Sequence, residues 1–380
     1  MTDIRFFATT STGIEDIASS EVEMLLNVKC FPDVGKVFFQ SNLEAIYILN
    51  LCSSTLNKVM ICLCRSYFEN LNQIYYLVKQ VDFSQYILPN QSFAVESERY
   101  GVHDFTSVDV SRVVGQAIID SYLSSKSVRI KVNLSSPDIT FLSLVRNNEF
   151  ILGLNTSGES LHKRNYRVYE HPAALKSTIA SAMLTIGGWD HNKPLIDPMC
   201  GSATIPIEAA FKARRLPPNY LRKNYAFYKI GFLNLKDFEN LREKLLSKAN
   251  RNVYKIFGME KYERHLKGAI MNCSNAGVSD TVFLKLGDAT RSETYPSEPF
   301  DTIIVNPPYG VRMVPEGGMK RFYTLFLKAL RERFSGSKLV LITAAFRRFL
   351  EAVDEVDVKI LEERNVLHGS LNAKIFKCEI

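Results

Sequence analysis

The 380-residue sequence predicts an α/β protein in two parts: a front half built from two small α/β units, then a mostly parallel sheet flanked by helices. Three observations lead there. Apolar runs of strand length alternate with stretches of helical period along the whole chain. Four successive runs in the second half each end on an acid or amide: Asp197, Glu260, Asp288 and Asn306. The last stretch, 358–380, reads as two strands about a turn at His368-Gly369.

In chain order, the front half begins with a strand over 4–9, a helix over 13–27, paired strands around Asp33-Val34-Gly35, a helix over 42–52 and a strand over 58–68. That order is ferredoxin-like. A second α/β unit follows, with helices over 71–81 and 108–123 and strands over 92–98, 129–133, 139–146 and 150–155. The expected divisions are a first domain over 1–68, a second over 69–156, a charged linker over 157–174 and a final domain over 175–380.

The final domain opens on a short apolar strand, a tight turn and the start of an amphipathic helix, written Leu195-Ile196-Asp197-Pro198-Met199-Cys200-Gly201-Ser202-Ala203-Thr204. Gly201 lets the turn take a positive φ and lets a ligand approach the backbone. Ser202 and Thr204 sit beside the unpaired amides of a helix start. Asp197 offers a carboxylate to an ammonium group. Glu260, ending the strand 254–259, is placed to hold ribose hydroxyls, and Asp288, after the strand 282–287, to accept from an adenine amine. As an ordered set these are the contacts S-adenosylmethionine needs. A nicotinamide site would want G-x-G-x-x-G, and only Gly201 is present. A helix over 320–334, a strand over 338–343, a short helix near 346–353 and the final hairpin complete the sheet.

The fourth strand-end motif proposes a reaction. Asn306-Pro307-Pro308-Tyr309 follows the apolar run 300–305, at the carboxyl end of a buried strand, where open α/β sheets place their chemistry. The exocyclic amine of a nucleobase is a poor nucleophile because its lone pair is delocalised into the ring. If the Asn306 side-chain oxygen and the Pro307 carbonyl each accept one amine hydrogen, the nitrogen is drawn toward tetrahedral geometry. The two prolines fix φ and hold those acceptors rigidly. Tyr309 offers a ring on which the base stacks. Asn-Pro also ends strands in ordinary turns; the donor set upstream favours the chemical reading.

The segments Asp197 to Ala210 and Asp301 to Gly310 resemble the RNA guanine-N2 methyltransferases that couple a THUMP RNA-binding domain to a Rossmann-like methyltransferase domain. The resemblance runs upstream through Leu154 to Arg167 and His171 to Lys176, so it covers essentially the whole chain. Length and order, with one methyltransferase unit, are most similar to the archaeal and bacterial enzymes that methylate guanine 6 of the tRNA acceptor stem. The resemblance implies a ferredoxin-like plus THUMP front half and a Rossmann-like S-adenosylmethionine-dependent domain with a C-terminal hairpin. By position, Asp197, Met199, Cys200, Gly201, Ser202, Ala203, Thr204, Glu260, Lys261, Asp288, Ala289 and Asn306 would contact the donor. Asn306, Pro307, Pro308 and Tyr309 would hold the base. Three residues depart from the pattern: Ala203 and Asn165 stand where Gly is usual, and Glu260 where Asp is more frequent. Asn tolerates the left-handed conformation, which would let Asn165 keep a glycine turn.

Composition sets the remaining bounds. With 47 Lys and Arg against 40 Asp and Glu, the net charge of +7 permits a polyanionic partner. Between Glu208 and Asp237 there is no acid, while Lys212, Arg214, Arg215, Arg222, Lys223 and Lys229 alternate with aromatic residues. That pattern suggests a phosphate-tracking surface. His162, Lys163, Arg164 and Arg167 in the linker, and Arg312 beyond the motif, are further candidate RNA contacts. Seven cysteines lack paired metal spacing and read as reduced thiols, with Cys200 a packed small residue and Cys62 and Cys64 alternate positions on a strand. No metal is expected. No apolar run reaches the length of a membrane span, and the first residues do not read as a signal peptide, so a cytoplasmic monomer is the expected state.

The leading function is therefore N2-methylation of a tRNA guanine. Methylation of ribosomal guanine, another tRNA position, DNA adenine or a protein glutamine would use the same motif, because it does not identify the ring. An RNA-binding protein with an inactive methyltransferase domain is the non-enzymatic alternative.

Overall fold

Residues 4–310 and 318–380 are described by the computed structural model. The front half runs β1 (Ile4–Thr10), α1 (Glu15–Leu26), β2 (Cys30–Asp33), β3 (Lys36–Ser41), α2 (Glu44–Cys52), β4 (Leu56–Tyr67), α3 (Leu71–Lys79), β5 (Ser92–Tyr100), α4 (Ser107–Lys126), β6 (Lys131–Val132), β7 (Ile139–Arg146) and β8 (Glu149–Asn155). Local chemistry sets the helix ends. Asn27 takes the left-handed conformation that stops α1, and Thr106 with Asp109 forms a reciprocal capping box at the start of α4.

These strands make one eight-stranded sheet, β2-β3-β1-β4-β8-β7-β5-β6. The two expected units are joined where β4 pairs antiparallel with β8 over Met60–Tyr67. A register shift between Cys62 and Cys64 bends that seam.

The second half runs α5 (Ser177–Ile186), β9 (Leu195–Asp197), α6 (Thr204–Arg214), α7 (Leu235–Leu246), β10 (Ile256–Glu260), α8 (Glu263–Asn275), β11 (Val282–Leu286), β12 (Thr302–Val305), α9 (Gly318–Phe334), β13 (Lys338–Thr343), α10 (Phe346–Val356), β14 (Lys359–His368) and β15 (Leu371–Glu379). The sheet order is β11-β10-β9-β12-β13-β15-β14. Pairing is parallel from β11 to β13 and antiparallel through β15 and β14. This is the doubly wound sheet with an antiparallel edge that the sequence predicts. Its strand order reverses between β9 and β12, which is where such sheets bind ligands.

Two features bind the halves together. The segment between α6 and β10 crosses back: Phe227 and Phe238 lie in the front-half core, and the Tyr47 ring meets both, with centroids 5.4 and 5.8 Å away. Gly13, at φ 99°, lies so close to the final hairpin that a Cβ there would overlap the Asn365 carbonyl. Leu367 N–H also donates to the Thr12 carbonyl at 3.0 Å.

The stretch 157–174 is packed as well. Leu161, Arg164 and Tyr166 are buried, and Tyr166 belongs to the same core as α5 and α6. Asn165 is not among the residues with positive φ. The expected glycine-like turn at Asn165 is therefore corrected: the chain passes it in an ordinary conformation.

Candidate active site

Strand register decides what the four strand ends can share. Gly258 is level with Asp197 across β10 and β9, and Ile303 is level with Ile196 across β12 and β9. Glu260 and Asn306 therefore stand two residues beyond Asp197 on either side, about 7 Å further along the strands. Asp197 forms the floor and the other two the rims. Asp288 likewise follows Leu286, which is level with Glu260.

The turn after β9 is tight. Gly201 at φ 54° and Ala203 at φ 62° are both left-handed; for Ala203 that conformation costs about 1–2 kcal/mol, which explains why glycine suits the position. The Gly201 amide donates to Glu260 Oε2 at 3.1 Å and the Tyr262 amide to Oε1 at 2.9 Å, so the turn and the second strand end form one unit. Met199 N–H donates to Asp197 Oδ1 at 3.1 Å. Ser202 and Thr204 hydroxyls lie 3.4 Å apart, and the Ser202 carbonyl accepts from Asn272 Nδ2 at 3.0 Å. Cys200 is buried, and its amide donates to the Met259 carbonyl at 2.8 Å.

Electrostatics separate the strand-end carboxylates. Asp197 is 2 % exposed, and among the described residues no cationic side chain pairs with it. Burial, with Glu260 adding repulsion, pushes its carboxyl well above the usual range despite the Met199 amide. A buried carboxylate without a counter-charge fits the ammonium of S-adenosylmethionine. Asp288 differs. Lys261 pairs with its Oδ2 at 2.9 Å and the Thr290 amide and hydroxyl donate to Oδ1. Burial opposes ionisation there, but those donors hold the carboxyl below its usual range. Oδ2, with Lys261 as its one donor, keeps a lone pair for an adenine amine. Ala289 is buried beside it.

Asn306 is held from two sides. Its Nδ2 donates to the Ala173 carbonyl at 3.3 Å, and its Oδ1 accepts from the Tyr309 hydroxyl at 2.5 Å. The Tyr309 hydroxyl thus has a partner that stacking alone does not require, while Oδ1 retains a second lone pair for an amine hydrogen. Pro307 is buried, and the Pro308 carbonyl accepts weakly from Tyr323 at 3.4 Å. The His368 ring stands edge-on to Tyr309, 6.5 Å between centroids.

The candidate RNA contacts divide sharply. Arg164 is corrected: its guanidinium is fully buried, bidentate to Glu208 and bonded to the Ser54 and Leu161 carbonyls and to Asn219. Arg214 is corrected too, buried against the Asn252 and Gly277 carbonyls, Thr281 and Asp280. So is Arg222, whose buried side chain bonds the Ser157, Glu159, Ser160 and Asn224 carbonyls. An acid-free sequence window made Arg214 and Arg222 look like surface charge, but the acceptors of Arg222 are backbone carbonyls, and the acids that pair with Arg214 and Arg164, Asp280 and Glu208, lie far along the chain. Arg167 is half-buried and donates to the Leu175 carbonyl and to Thr204, supporting the start of α6. His162 is half-buried beside Ser160, and burial with Lys176 nearby pushes it down to about 4, so it is uncharged at neutral pH.

Lys163, Lys212, Arg215 and Lys223 are exposed. Arg312 lies outside the described residues. A cleft of about 340 Å³ between the halves adds Lys58, Arg146 and Lys176, which the sequence reading missed, and it reaches the hairpin tip at Leu367 and Gly369. These cations come from separate elements, so no local sequence pattern marks them.

Comparison with known proteins agrees with this architecture. Residues 164–374 match the RMKL-like methyltransferase domain, residues 68–155 the THUMP domain and residues 5–60 the RlmL ferredoxin-like domain. A tRNA (guanine(6)-N2)-methyltransferase of Archaeoglobus fulgidus is 42 % identical, covering 98 % of this chain and 91 % of its own. One of Methanocaldococcus jannaschii is 38 % identical, covering 98 % of both. Among solved structures, TrmN from Thermus thermophilus superposes with a TM-score of 0.73 at 21 % identity, covering 99 % of each chain. A putative methyltransferase, SMU.472, solved with SAH, superposes with a TM-score of 0.85 at 22 % identity, over 99 % of this chain and 98 % of that one. These two share the fold. The family match spans more than half the chain and includes the Gly201 turn and the Asn306 motif: this chain belongs to the family of RMKL-like methyltransferase domains, carried behind a THUMP domain.

Proposed function

We propose that this protein is an S-adenosylmethionine-dependent methyltransferase acting on the exocyclic N2 of a tRNA guanine, guanine 6 of the acceptor stem. The observation that carries the proposal is the meeting of Asn306-Pro307-Pro308-Tyr309 with the Asp197–Gly201–Glu260 turn at one switch point of the sheet. The names of the two archaeal relatives, similar over nearly the whole chain, support tRNA as the substrate and guanine 6 as the position.

S-adenosylmethionine, when bound, supplies an electrophilic methyl group. Asp197 takes the ammonium, Glu260 the ribose hydroxyls and Asp288 the adenine amine. Asn306 Oδ1 and the Pro307 carbonyl accept the two hydrogens of the guanine amine and turn its lone pair out of conjugation. Tyr309 stacks on the base and, through its hydroxyl, fixes the Oδ1 that receives the amine. No strong base is needed, because the nitrogen becomes acidic only after it has gained the methyl. A guanine in an acceptor stem is paired, and extruding it costs a few kcal/mol. Exposed Lys163, Lys212, Arg215 and Lys223 and the cleft cations Lys58, Arg146 and Lys176 supply phosphate contacts to offset that.

The test is incubation of purified protein with S-adenosylmethionine and, separately, tRNA and ribosomal RNA, followed by nuclease digestion and mass spectrometry of mapped fragments. N2-methylguanosine at position 6 of tRNA is expected. Methylation confined to ribosomal RNA, or to another base, would overturn the assignment. Donor binding without turnover on either RNA would leave the non-catalytic alternative.

A further inference from the structure

Between the packed stretch ending at Arg167 and helix α5, the chain crosses the mouth of the site as His171-Pro172-Ala173. Three contacts locate it. A Cβ built on Gly201 would sit 3.5 Å from His171 Cγ, so the imidazole lies on the backbone of the donor turn. The Ala173 amide donates to His171 Nδ1 at 3.1 Å. The Ala173 carbonyl accepts from Asn306 Nδ2 at 3.3 Å.

The imidazole itself is held from behind. His265 packs edge-on against it at 4.3 Å between centroids, and His265 Nδ1 is 2.5 Å from the Tyr169 hydroxyl. The Tyr169 ring lies so close to Gly268 that a Cβ there would overlap it, so this stack is seated on α8. Burial, with His265 adding to it, pushes His171 down to about 4. It is neutral at physiological pH, and an Nδ1 that accepts from Ala173 leaves the ring proton on Nε2.

We propose that His171 is a positioning residue, tying the donor turn to the catalytic asparagine: its ring covers Gly201 while its Nδ1 folds the strap that aims the Ala173 carbonyl at Asn306. The inference rests on the methyl-transfer function proposed above. An amide side chain can flip, and only one orientation presents Oδ1 to an amine. The Ala173 carbonyl takes Nδ2 and the Tyr309 hydroxyl takes Oδ1, so both neighbours select the productive orientation. The strap supplies the neighbour that lies outside the catalytic motif.

The two roles of His171 are chemically separable, which makes the test specific. Phenylalanine keeps a ring over Gly201 but has no acceptor for the Ala173 amide. Asparagine keeps an acceptor, since its side chain closes the same turn on the residue two ahead, but has no ring. S-adenosylmethionine affinity is measured by calorimetry, and the single-turnover rate at saturating donor on a tRNA transcript, for wild type, His171→Phe, His171→Asn and His171→Ala.

His171→Phe should keep donor affinity within about twofold and lose up to about tenfold in rate, the worth of one positioning hydrogen bond. His171→Asn should show the reverse, with weakened donor binding and a rate within about threefold of wild type. His171→Ala should lose both. Equal losses in both readouts for Phe and Asn, or full rate in His171→Phe, would overturn the inference while wild-type turnover upheld the function. Absence of wild-type turnover would overturn the function and this inference with it.

Discussion

Arg164→Ala discriminates between an RNA contact and an internal bolt. The guanidinium of Arg164 donates to Glu208 Oε1 at 3.1 Å and Oε2 at 3.2 Å, to Asn219 Oδ1 at 2.7 Å and to the Leu161 and Ser54 carbonyls at 2.9 and 3.0 Å. Its side chain is 0 % exposed and that of Glu208 1 %. Removing one member of a buried pair costs about 3–5 kcal/mol, because the other charge stays in the interior unpaired. Glu208 would still accept from Ser181 and Tyr166, which moderates the loss. Ser54, Leu161 and Asn219 would lose a donor, which restores it, so the upper part of that range is expected. Arg164→Lys should rescue little, since an ammonium cannot serve five acceptor contacts in one plane. The assay is urea unfolding of the full chain without RNA. A surface arginine would change stability by no more than about 0.5 kcal/mol, and its loss would lower the salt slope of tRNA binding by about one contact, roughly 0.7–0.9. That pair of results would refute the bolt.

Asn306→Ala should reduce turnover by about 10²–10³, far more than it weakens donor affinity, as for loss of one preorganised partner of the reacting group; Tyr309→Phe should cost roughly two- to tenfold, the hydroxyl bond to Oδ1 without the stacking. Steady-state kinetics and calorimetry check both, and near-wild-type turnover by Asn306→Ala would reject the mechanism. The folded protein holds the Asp197 proton more tightly than the unfolded chain does, since burial raises that carboxyl. The stability this contributes is present at low pH and lost as pH rises through the raised value. An ammonium ligand favours the ionised form, so S-adenosylmethionine affinity should rise with pH across that window, with proton release visible in calorimetry in buffers of differing ionisation enthalpy; a flat profile would exclude Asp197 as the ammonium partner. Charge reversal at Lys163, Arg215 and Lys223 should leave the fold intact and flatten the salt dependence of tRNA binding. The same change at Arg214 or Arg222 should instead destabilise the protein in thermal unfolding.

What the sequence by itself determined was the set of candidate site groups, because each is local. Each strand end carries its own group, Asp197, Glu260, Asp288 or Asn306, within a few residues of the apolar run that positions it, and the prolines and Gly201 fix the turns in place. The alternating periods likewise marked most strands and helices. Helix α5 escaped because nearly all of it is buried, which leaves no polar face to set a helical period. Only the tertiary structure decided which charges face solvent. Arg164, Arg214 and Arg222 read as surface cations because their acceptors are backbone carbonyls or lie far along the chain, as Glu208 does from Arg164. The same limit applies to the cleft cations and to His171, whose partners Gly201, His265 and, through Ala173, Asn306 come from elements that meet only on folding. A sequence states what a residue can bond, but distance in three dimensions decides what it does bond.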